Sequence, residues 1–172
     1  MRKIAFFSAA AALALSACAS RREPVAPPTP VPTPAPRPAP VPEAPRGPVA
    51  GSLEDFRVSV GERVFFGYDR FDLTGEARAI LDRQAAWLRR YPSVRVLVAG
   101  NCDERGTREY NLALGARRAA AARDYLVSLG VEAGRVETVS YGKERPLDPR
   151  ANEEAWSVNR NAHTQIVSGA VS

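Results

Sequence analysis

The pattern of hydrophobic and polar positions between residues 74 and 92 has the period of a helix. The apolar positions that share one helical face are Ala77, Ile80, Leu81, Ala85 and Leu88. Thr74 has the side chain of an N-cap, and Pro92 closes the pattern shortly after Arg90. These residues predict an amphipathic helix that begins after Thr74 and packs one face on a core.

A second helical pattern, rich in alanine, runs from residue 110 to residue 129 and stops at Gly130. The positions near its predicted apolar stripe are Leu112, Ala116, Ala119, Ala120, Arg123, Leu126 and Val127. Asn111, Leu114 and Arg118 are spaced i, i+3 and i+7 and fall on another face. The spacing therefore predicts that Leu114 is displayed beside an arginine, away from the stripe.

Short runs rich in β-branched and apolar residues alternate with these helices. They predict strands at residues 63–66, 94–99, 136–140 and 162–167, and a short helix at 152–158. The resulting order is β-α-β-α-β-(α)-β. A chain segment of this length and order predicts an α/β (α+β) domain, with one layer of helices packed on one sheet.

The first 17 residues have the pattern of a secretory signal peptide. Basic residues at positions 2 and 3 precede an apolar run over residues 4–15, and small residues follow. A run of about 12 residues is too short to span a bilayer, which takes about 20. Residues 15–18, Leu-Ser-Ala-Cys, resemble the lipobox of bacterial lipoproteins, which predicts cleavage before Cys18 and acylation of its sulfur. The alternative is an ordinary signal peptide that precedes a chance cysteine.

Proline dominates the segment that follows Cys18. Of the 15 prolines, 12 lie between Pro24 and Pro48, a composition typical of a disordered, extended tether. At about 3.1 Å per residue, roughly 25 to 30 such residues reach about 80 to 90 Å. The alternative is a proline-rich ligand for an aromatic groove of a partner. The predicted organisation is a signal peptide (1–17), a lipidated cysteine with a proline-rich linker (18–52) and a domain (53–172).

Charge and composition exclude some kinds of site. The net charge is +5, but from residue 53 onward 18 Arg and Lys stand against 17 Asp and Glu. A nearly neutral domain with interspersed charges lacks the basic face of a nucleic-acid-binding protein. Beyond Cys18, the sequence has one cysteine, Cys102, and one histidine, His163, too few for a structural zinc site. We therefore expect no bound metal and no cofactor.

The polar centre of the predicted domain is the stretch from residue 101 to residue 111, between a buried strand and the start of a helix. Such a place presents backbone N–H groups and side chains to ligands. The carboxylate of Asp103 and the guanidinium of Arg118 suit a zwitterion, because Asp accepts from an ammonium and Arg forks onto a carboxylate. An ordinary salt bridge that fixes the loop is the alternative.

These stretches also resemble a known family. Residues 100–111 (GNCDERGTREYN), 114–118 (LGARR) and 140–146 (SYGKERP) resemble the OmpA-like family, and within it the peptidoglycan-associated lipoproteins. The resemblance covers residues 63–167 and includes the Phe- and Asp-rich segment 66–72. It implies an OmpA-like domain of the βαβα(α)β type, with helices on one face of a four-stranded mixed sheet.

The resemblance implies a non-catalytic domain that binds the diaminopimelate side chain of the peptidoglycan peptide. Asp103 would bind the ammonium, and Arg118 the carboxylate, of its free amino-acid end. The other implied site residues are Arg105 and Leu114, which line the cavity, and Asp69, Phe71 and Asp72 of the first loop, which close its other wall largely through main chain.

The resemblance also implies a cellular setting. The protein would be anchored by lipid in the outer membrane with its domain in the periplasm, and Ala19 after the cysteine agrees with sorting to that membrane. The implied partners are peptidoglycan and the Tol system, chiefly its periplasmic β-propeller protein and also other Tol proteins. Peptidoglycan and the β-propeller protein would compete for overlapping surfaces. Envelope integrity and cell division would be the processes supported.

Two departures from the family pattern leave alternatives open. The family usually has Asn-Arg-Arg before the last strand, whereas Asn159 and Arg160 are followed here by Asn161 and a more polar strand. This change is expected to lower stability or alter the rim of the site. Cys102 with His163 would suit a thiol hydrolase, although no orienting motif accompanies them; otherwise Cys102 is a small residue prone to oxidation. A further alternative is a protein-binding adaptor without affinity for the cell wall.

Overall fold

The structure, a computed structural model, describes residues 47–171. The predictions for the signal peptide, for Cys18 and for the linker up to residue 46 lie outside the described residues. The helices are α1 (Leu53–Asp55), α2 (Gly75–Arg90), α3 (Arg108–Ser128) and α4 (Glu153–Asn159), and the strands are β1 (Arg63–Phe65), β2 (Arg95–Asn101), β3 (Val136–Gly142) and β4 (Asn161–Ser168). A π-helix at Phe56–Val60 follows α1, and a 3-10 turn at Ala133–Arg135 precedes β3.

The strands form one mixed sheet in the order β1-β4-β2-β3. Strands β2 and β3 are parallel, and β4 is antiparallel to both of its neighbours, β1 and β2. The sheet residues that join the core with α2 and α3 are Val64, Val96, Val98, Val136 and Ala162. The predicted order of elements and the two-layer class are therefore confirmed.

The N-terminal edge of the domain differs from the prediction. Ser52, assigned to the linker, caps α1 by accepting from the Asp55 N–H at 3.1 Å, and the Val171 N–H donates to the Gly51 carbonyl at 3.0 Å. The π-helix was not predicted, yet its Phe56 packs against Trp87 of α2 with ring centroids 5.0 Å apart. The folded part thus begins a few residues before position 53.

Helix α2 follows its sequence pattern closely. The Thr74 hydroxyl accepts from the Ala77 N–H at 3.1 Å, and four of the five predicted face residues are buried while Ile80 is partly buried. A polar residue, Gln84, is buried on the same face because its amide donates to the Gly61 carbonyl at 2.7 Å and accepts from the Thr164 hydroxyl at 2.8 Å. These bonds connect α2 to β4 and to the loop before β1.

The predicted division of α3 into two faces is wrong, although Ala119 and Leu126 of the predicted stripe are buried. Its buried residues are Asn111, Leu114, Gly115, Arg118, Ala119, Ala122 and Leu126. The residues expected to be displayed on a separate face are therefore part of the inward face, whereas Ala116 and Ala120 are exposed. The rotation has a physical reason, since Arg118 finds hydrogen-bond partners inside the protein and Gly115 permits a close approach to the sheet.

That approach joins α3 to β2 at two glycines. A Cβ atom built on Gly100 would overlap the carbonyl oxygen of Gly115, and one built on Gly115 would lie 2.9 Å from the Gly100 carbonyl oxygen. Backbone therefore packs directly on backbone beside the polar loop. The helices within residues 47–171 lack the length and apolar character that crossing a membrane requires.

Replacing Gly100 with Ala is expected to destabilise the protein by about 1 to 3 kcal/mol, because the new methyl group forces α3 away from β2. Equilibrium unfolding in urea measures the change. Gly75→Ala is the control, since a Cβ at Gly75 has open space around it, and we expect a change within about 0.5 kcal/mol. Equal stabilities of the two variants would contradict the close-packing account.

Candidate functional site

A cavity of about 170 Å³ lies where the end of β2, the start of α3 and the loop after β1 meet. The residues that line it are Tyr68, Asp69, Cys102, Asp103, Arg105, Gly106, Tyr110, Asn111, Leu114 and Arg118. Five residues of the predicted site, namely Asp69, Asp103, Arg105, Leu114 and Arg118, are thus brought together. Sequence reasoning missed Tyr68 and Tyr110, because aromatic residues in polar loops gave no periodic signal.

Hydrogen bonds from the surrounding elements hold the polar loop in place. Asn111 donates its side-chain amide to the Arg105 carbonyl at 2.8 Å and to the Thr107 carbonyl at 3.1 Å. From beyond β3, the Lys143 ammonium donates to the carbonyls of Glu104 and Gly106 at 3.1 and 2.7 Å. The loop therefore presents its side chains from a fixed backbone.

Asp103 is a buried carboxylate with two arginine partners. Its Oδ2 accepts from Arg105 Nη2 at 2.6 Å and from Arg160 Nη1 at 3.3 Å, while its Oδ1 accepts from the backbone N–H of Arg105 at 3.2 Å. Burial by itself would raise the pKa of the Asp103 carboxyl, but the hydrogen bonds from Arg105 and Arg160 outweigh burial and hold that pKa below its usual range. Asp103 is therefore ionised at neutral pH.

Arg118 is a completely buried guanidinium that binds backbone carbonyls. Its Nε donates to the Arg70 carbonyl at 2.8 Å, its Nη1 to the Asn101 carbonyl at 2.8 Å, and its Nη2 to the Gly67 carbonyl at 3.1 Å. Burial lowers the pKa of the Arg118 guanidinium, which nonetheless stays charged because an arginine side chain is not deprotonated in proteins. The prediction of a displayed arginine is corrected to a buried one that lines the cavity.

The carboxylate of Asp103 and the guanidinium of Arg118 both keep some hydrogen-bonding capacity for a ligand. A carboxylate has about four acceptor sites and an arginine has five N–H donors. The three bonds made by Asp103 leave about one acceptor site, on Oδ1. The three bonds of Arg118 to carbonyls leave about two donors, for which the neighbouring Cys102 sulfur is only a weak acceptor. Asp103 pairs with Arg105 and Arg160 and not with Arg118, so the alternative of an ordinary Asp103–Arg118 salt bridge that fixes the loop is wrong.

The opposite wall is smaller than the family resemblance implied. Asp69 has a positive φ of 54°, and its carboxylate accepts from the Tyr110 hydroxyl. Phe71 and Asp72 lie outside the cavity lining: Phe71 is an exposed ring 5.7 Å from the guanidinium of Arg117, and Asp72 pairs with Arg70 at 3.1 Å. The wall is therefore built from Tyr68, Asp69 and Tyr110.

The Asn-Arg-Asn sequence at residues 159–161, where α4 ends and β4 starts, stabilises the site through hydrogen bonds to the polar loop and to the end of β2. Arg160 is buried; besides Asp103, it donates to the Phe66 carbonyl at 3.1 Å and to Glu153 at 2.7 Å. Asn161, at the position of the departure, accepts from Asn101 Nδ2 at 3.0 Å. It thereby joins β4 to the end of β2, whose Asn101 carbonyl binds Arg118.

Cys102 and His163 have separate partners. The Cys102 thiol is buried and donates to the Asn111 carbonyl at 3.4 Å, and burial raises its pKa to about 11. His163 Nε2 lies 3.4 Å from a carboxylate oxygen of Glu62. Burial and protonation both lower the reactivity of a thiol, which disfavours the thiol-hydrolase alternative and ready oxidation of Cys102.

Comparison with known proteins finds relatives of the predicted family. A family model described as the OmpA family matches residues 65–160. A peptidoglycan-associated lipoprotein of Rhizobium meliloti is 55% identical over 120 residues, which cover 70% of this chain and 68% of the relative. One from Haemophilus influenzae is 54% identical over 99 residues, which cover 58% of this chain and 65% of the relative. All residues that line the cavity lie within residues 65–160, which the family model matches.

Comparison with solved structures finds the same fold in other proteins. The crystal structure of the peptidoglycan-associated lipoprotein from Burkholderia pseudomallei has a TM-score of 0.60 and 41% identity, and the match covers 61% of this chain and 89% of that one. The C-terminal domain of Helicobacter pylori MotB has a TM-score of 0.59 at 20% identity, covering 62% of this chain and 84% of that one. The second likeness concerns the fold alone.

Asp103→Asn is expected to lower the free energy of unfolding at pH 7 by about 1.5 to 3 kcal/mol, the usual value of a hydrogen bond to a charged group. Because the folded pKa of Asp103 lies below the unfolded one, its contribution is present above about pH 3.9 and is lost as the pH falls through the folded pKa. Urea unfolding of both proteins at pH 7 and pH 3 measures the difference. If the wild type and Asp103→Asn differed in unfolding free energy by the same amount at pH 7 and at pH 3, the ionised state assigned to Asp103 would be contradicted.

Proposed function

This chain belongs to the OmpA family, and from that premise we propose that it binds peptidoglycan non-covalently and links the cell wall to the outer membrane. The ligand is the free amino-acid end of the diaminopimelate residue in the peptide stem, which bears an ammonium and a carboxylate on one carbon. The observation that carries this proposal is the unused bonding capacity of two buried, opposite charges, Asp103 and Arg118, in one small cavity.

Each part of such a ligand has a matching group. The ammonium binds Oδ1 of Asp103, the carboxylate binds the remaining N–H donors of Arg118, and the methylene chain contacts the buried Leu114. Arg105 and Asp69 contribute the side walls. Phe71 and Asp72, which lie outside the lining, contact only the part of the peptide that leaves the cavity. No bond is made or broken in this scheme, so the domain is a binding module and not an enzyme.

The same scheme explains the N-terminal pattern of the sequence. A lipidated Cys18 holds the protein in the outer membrane, and the proline-rich linker lets the domain reach peptidoglycan in the periplasm. The relatives named peptidoglycan-associated lipoproteins support this arrangement. Lipid anchoring and wall binding together support envelope integrity.

The rim of the cavity suits a protein partner as well. Tyr68, Phe71 and Tyr110 are exposed aromatic residues around the mouth, and aromatic residues are enriched where proteins bind one another. We propose the periplasmic β-propeller protein of the Tol-Pal system as that partner, with a role in cell division. The rim that this partner binds overlaps the cavity, so the partner and peptidoglycan compete for the domain. An adaptor that uses this rim without binding the wall is the second candidate.

Arg118→Lys is expected to reduce co-sedimentation with purified diaminopimelate-type sacculi at least about tenfold, because an ammonium keeps the charge but cannot fork onto a carboxylate. Asp103→Ala is expected to reduce co-sedimentation to a similar extent, because the ligand ammonium loses its carboxylate partner. Arg117→Lys is the matched control, since the neighbouring Arg117 is exposed and lies beside Phe71, and it should sediment as the wild type does. Thermal unfolding confirms that each variant is folded.

Two outcomes of this assay contradict the proposal. Failure of the wild-type protein to sediment would favour the adaptor. Folded Asp103→Ala and Arg118→Lys proteins that sediment as well as the wild type would place wall binding elsewhere on the surface.

Cys18→Ser is expected to release the protein from the membrane fraction, because the acyl chains supply the hydrophobic area that anchors it. Cell fractionation followed by immunoblotting measures the distribution. The release should be complete at high salt, and a variant that stays with the membrane would show that another segment anchors the protein.

A further inference from the structure

The guanidinium of Arg105 lies between two aromatic rings at the mouth of the cavity. Its Cζ is 4.2 Å from the ring centroid of Tyr68, in the loop after β1, and 4.2 Å from that of Trp156, in α4. Both distances are well within the range of about 6 Å over which a ring face attracts a cation. Both rings are therefore in cation–π contact with this guanidinium.

The edges of this guanidinium are less well satisfied. Nη2 donates to Oδ2 of Asp103 at 2.6 Å, and Nη1 lies 3.8 Å from Glu153. Nε is buried and has no hydrogen-bond partner among residues 47–171. Because an unpaired buried donor is unfavourable, hydrogen bonding alone does not explain the placement of Arg105, and the two rings supply the missing attraction.

The placement of Arg105 decides which oxygen of Asp103 remains available. Oδ2 accepts from two arginines, whereas Oδ1 accepts only from the Arg105 backbone N–H. A guanidinium that moved away would free the carboxylate to rotate and would admit water to it. The aromatic pair thus acts on Asp103 through Arg105.

We propose that Tyr68 and Trp156 are positioning residues for the ligand: they clamp Arg105 over Oδ2 of Asp103 and so keep Oδ1 open to the ligand ammonium. This inference rests on the proposed function. Trp156 is the sharper test of the two, because it lies outside the cavity lining and reaches the ligand only through Arg105. Its indole N–H also donates to the Glu104 carboxylate at 3.1 Å, an exposed hydrogen bond at the edge of the ring.

Trp156→Leu is expected to weaken binding of a soluble diaminopimelate-containing muropeptide about fivefold, as measured by calorimetry on the lipid-free Cys18→Ser chain. Trp156→Phe, which restores a ring face, should bind within about twofold of the wild type. Glu104→Ala is the control for the indole hydrogen bond and should also bind within about twofold. Wild-type affinity in Trp156→Leu would overturn the inference.

A double-mutant cycle separates positioning from a general structural role. In an Arg105→Met background, which lacks the guanidinium, Trp156→Leu should cause no further loss of affinity. An equal loss in both backgrounds would overturn the inference.

An NMR titration of the Asp103 carboxyl provides a readout that needs no ligand. Its pKa should rise in Trp156→Leu, because the hydrogen bond from Arg105 loosens, and should keep its wild-type value in Trp156→Phe. An unchanged pKa in Trp156→Leu would overturn the clamp. Failure of the wild type to bind the muropeptide contradicts the proposed function, whereas wild-type binding with an unaffected Trp156→Leu contradicts only this inference.

Discussion

The buried guanidinium of Arg118 is the interaction on which the site depends. A charge removed from water is costly unless hydrogen bonds replace its hydration, and three backbone carbonyls do so here. Two of them, of Gly67 and Arg70, belong to the loop after β1, and the third ends β2. One side chain of α3 thereby fixes both walls of the cavity. The Gly100 and Gly115 contact brings α3 close enough to β2 for this to happen.

Asp103 completes the site by a different arrangement. Its charge is balanced by Arg105 and Arg160 and not by Arg118, so each member of the pair is stabilised separately before any ligand arrives. Such preorganisation lowers the cost of binding, because the groups need no reordering. It also fits a zwitterion better than a direct Asp–Arg bridge would, since a bridge must break before either charge can bind a ligand.

The sequence was informative wherever local patterns decide structure. The period of α2, its cap at Thr74 and the order of strands and helices followed from neighbouring residues, and Asp103 and Arg118 were recognised as a pair of interest. The inward face of α3 was not foreseen, because a pattern that treats arginine as a surface residue cannot know that carbonyls 48 and 51 positions away will bind it. The roles of Arg160 and Trp156 also depend on contacts distant along the chain.

The most direct test of the account compares two ligands that differ in one group. Calorimetry with a muropeptide that contains diaminopimelate, and with the same muropeptide containing lysine, isolates the carboxylate beside the free ammonium. If Arg118 binds that carboxylate, the diaminopimelate form binds at least about tenfold more tightly, which corresponds to about 1.4 kcal/mol. Equal affinity for the two muropeptides would contradict the central claim that opposite charges in this cavity recognise a zwitterion.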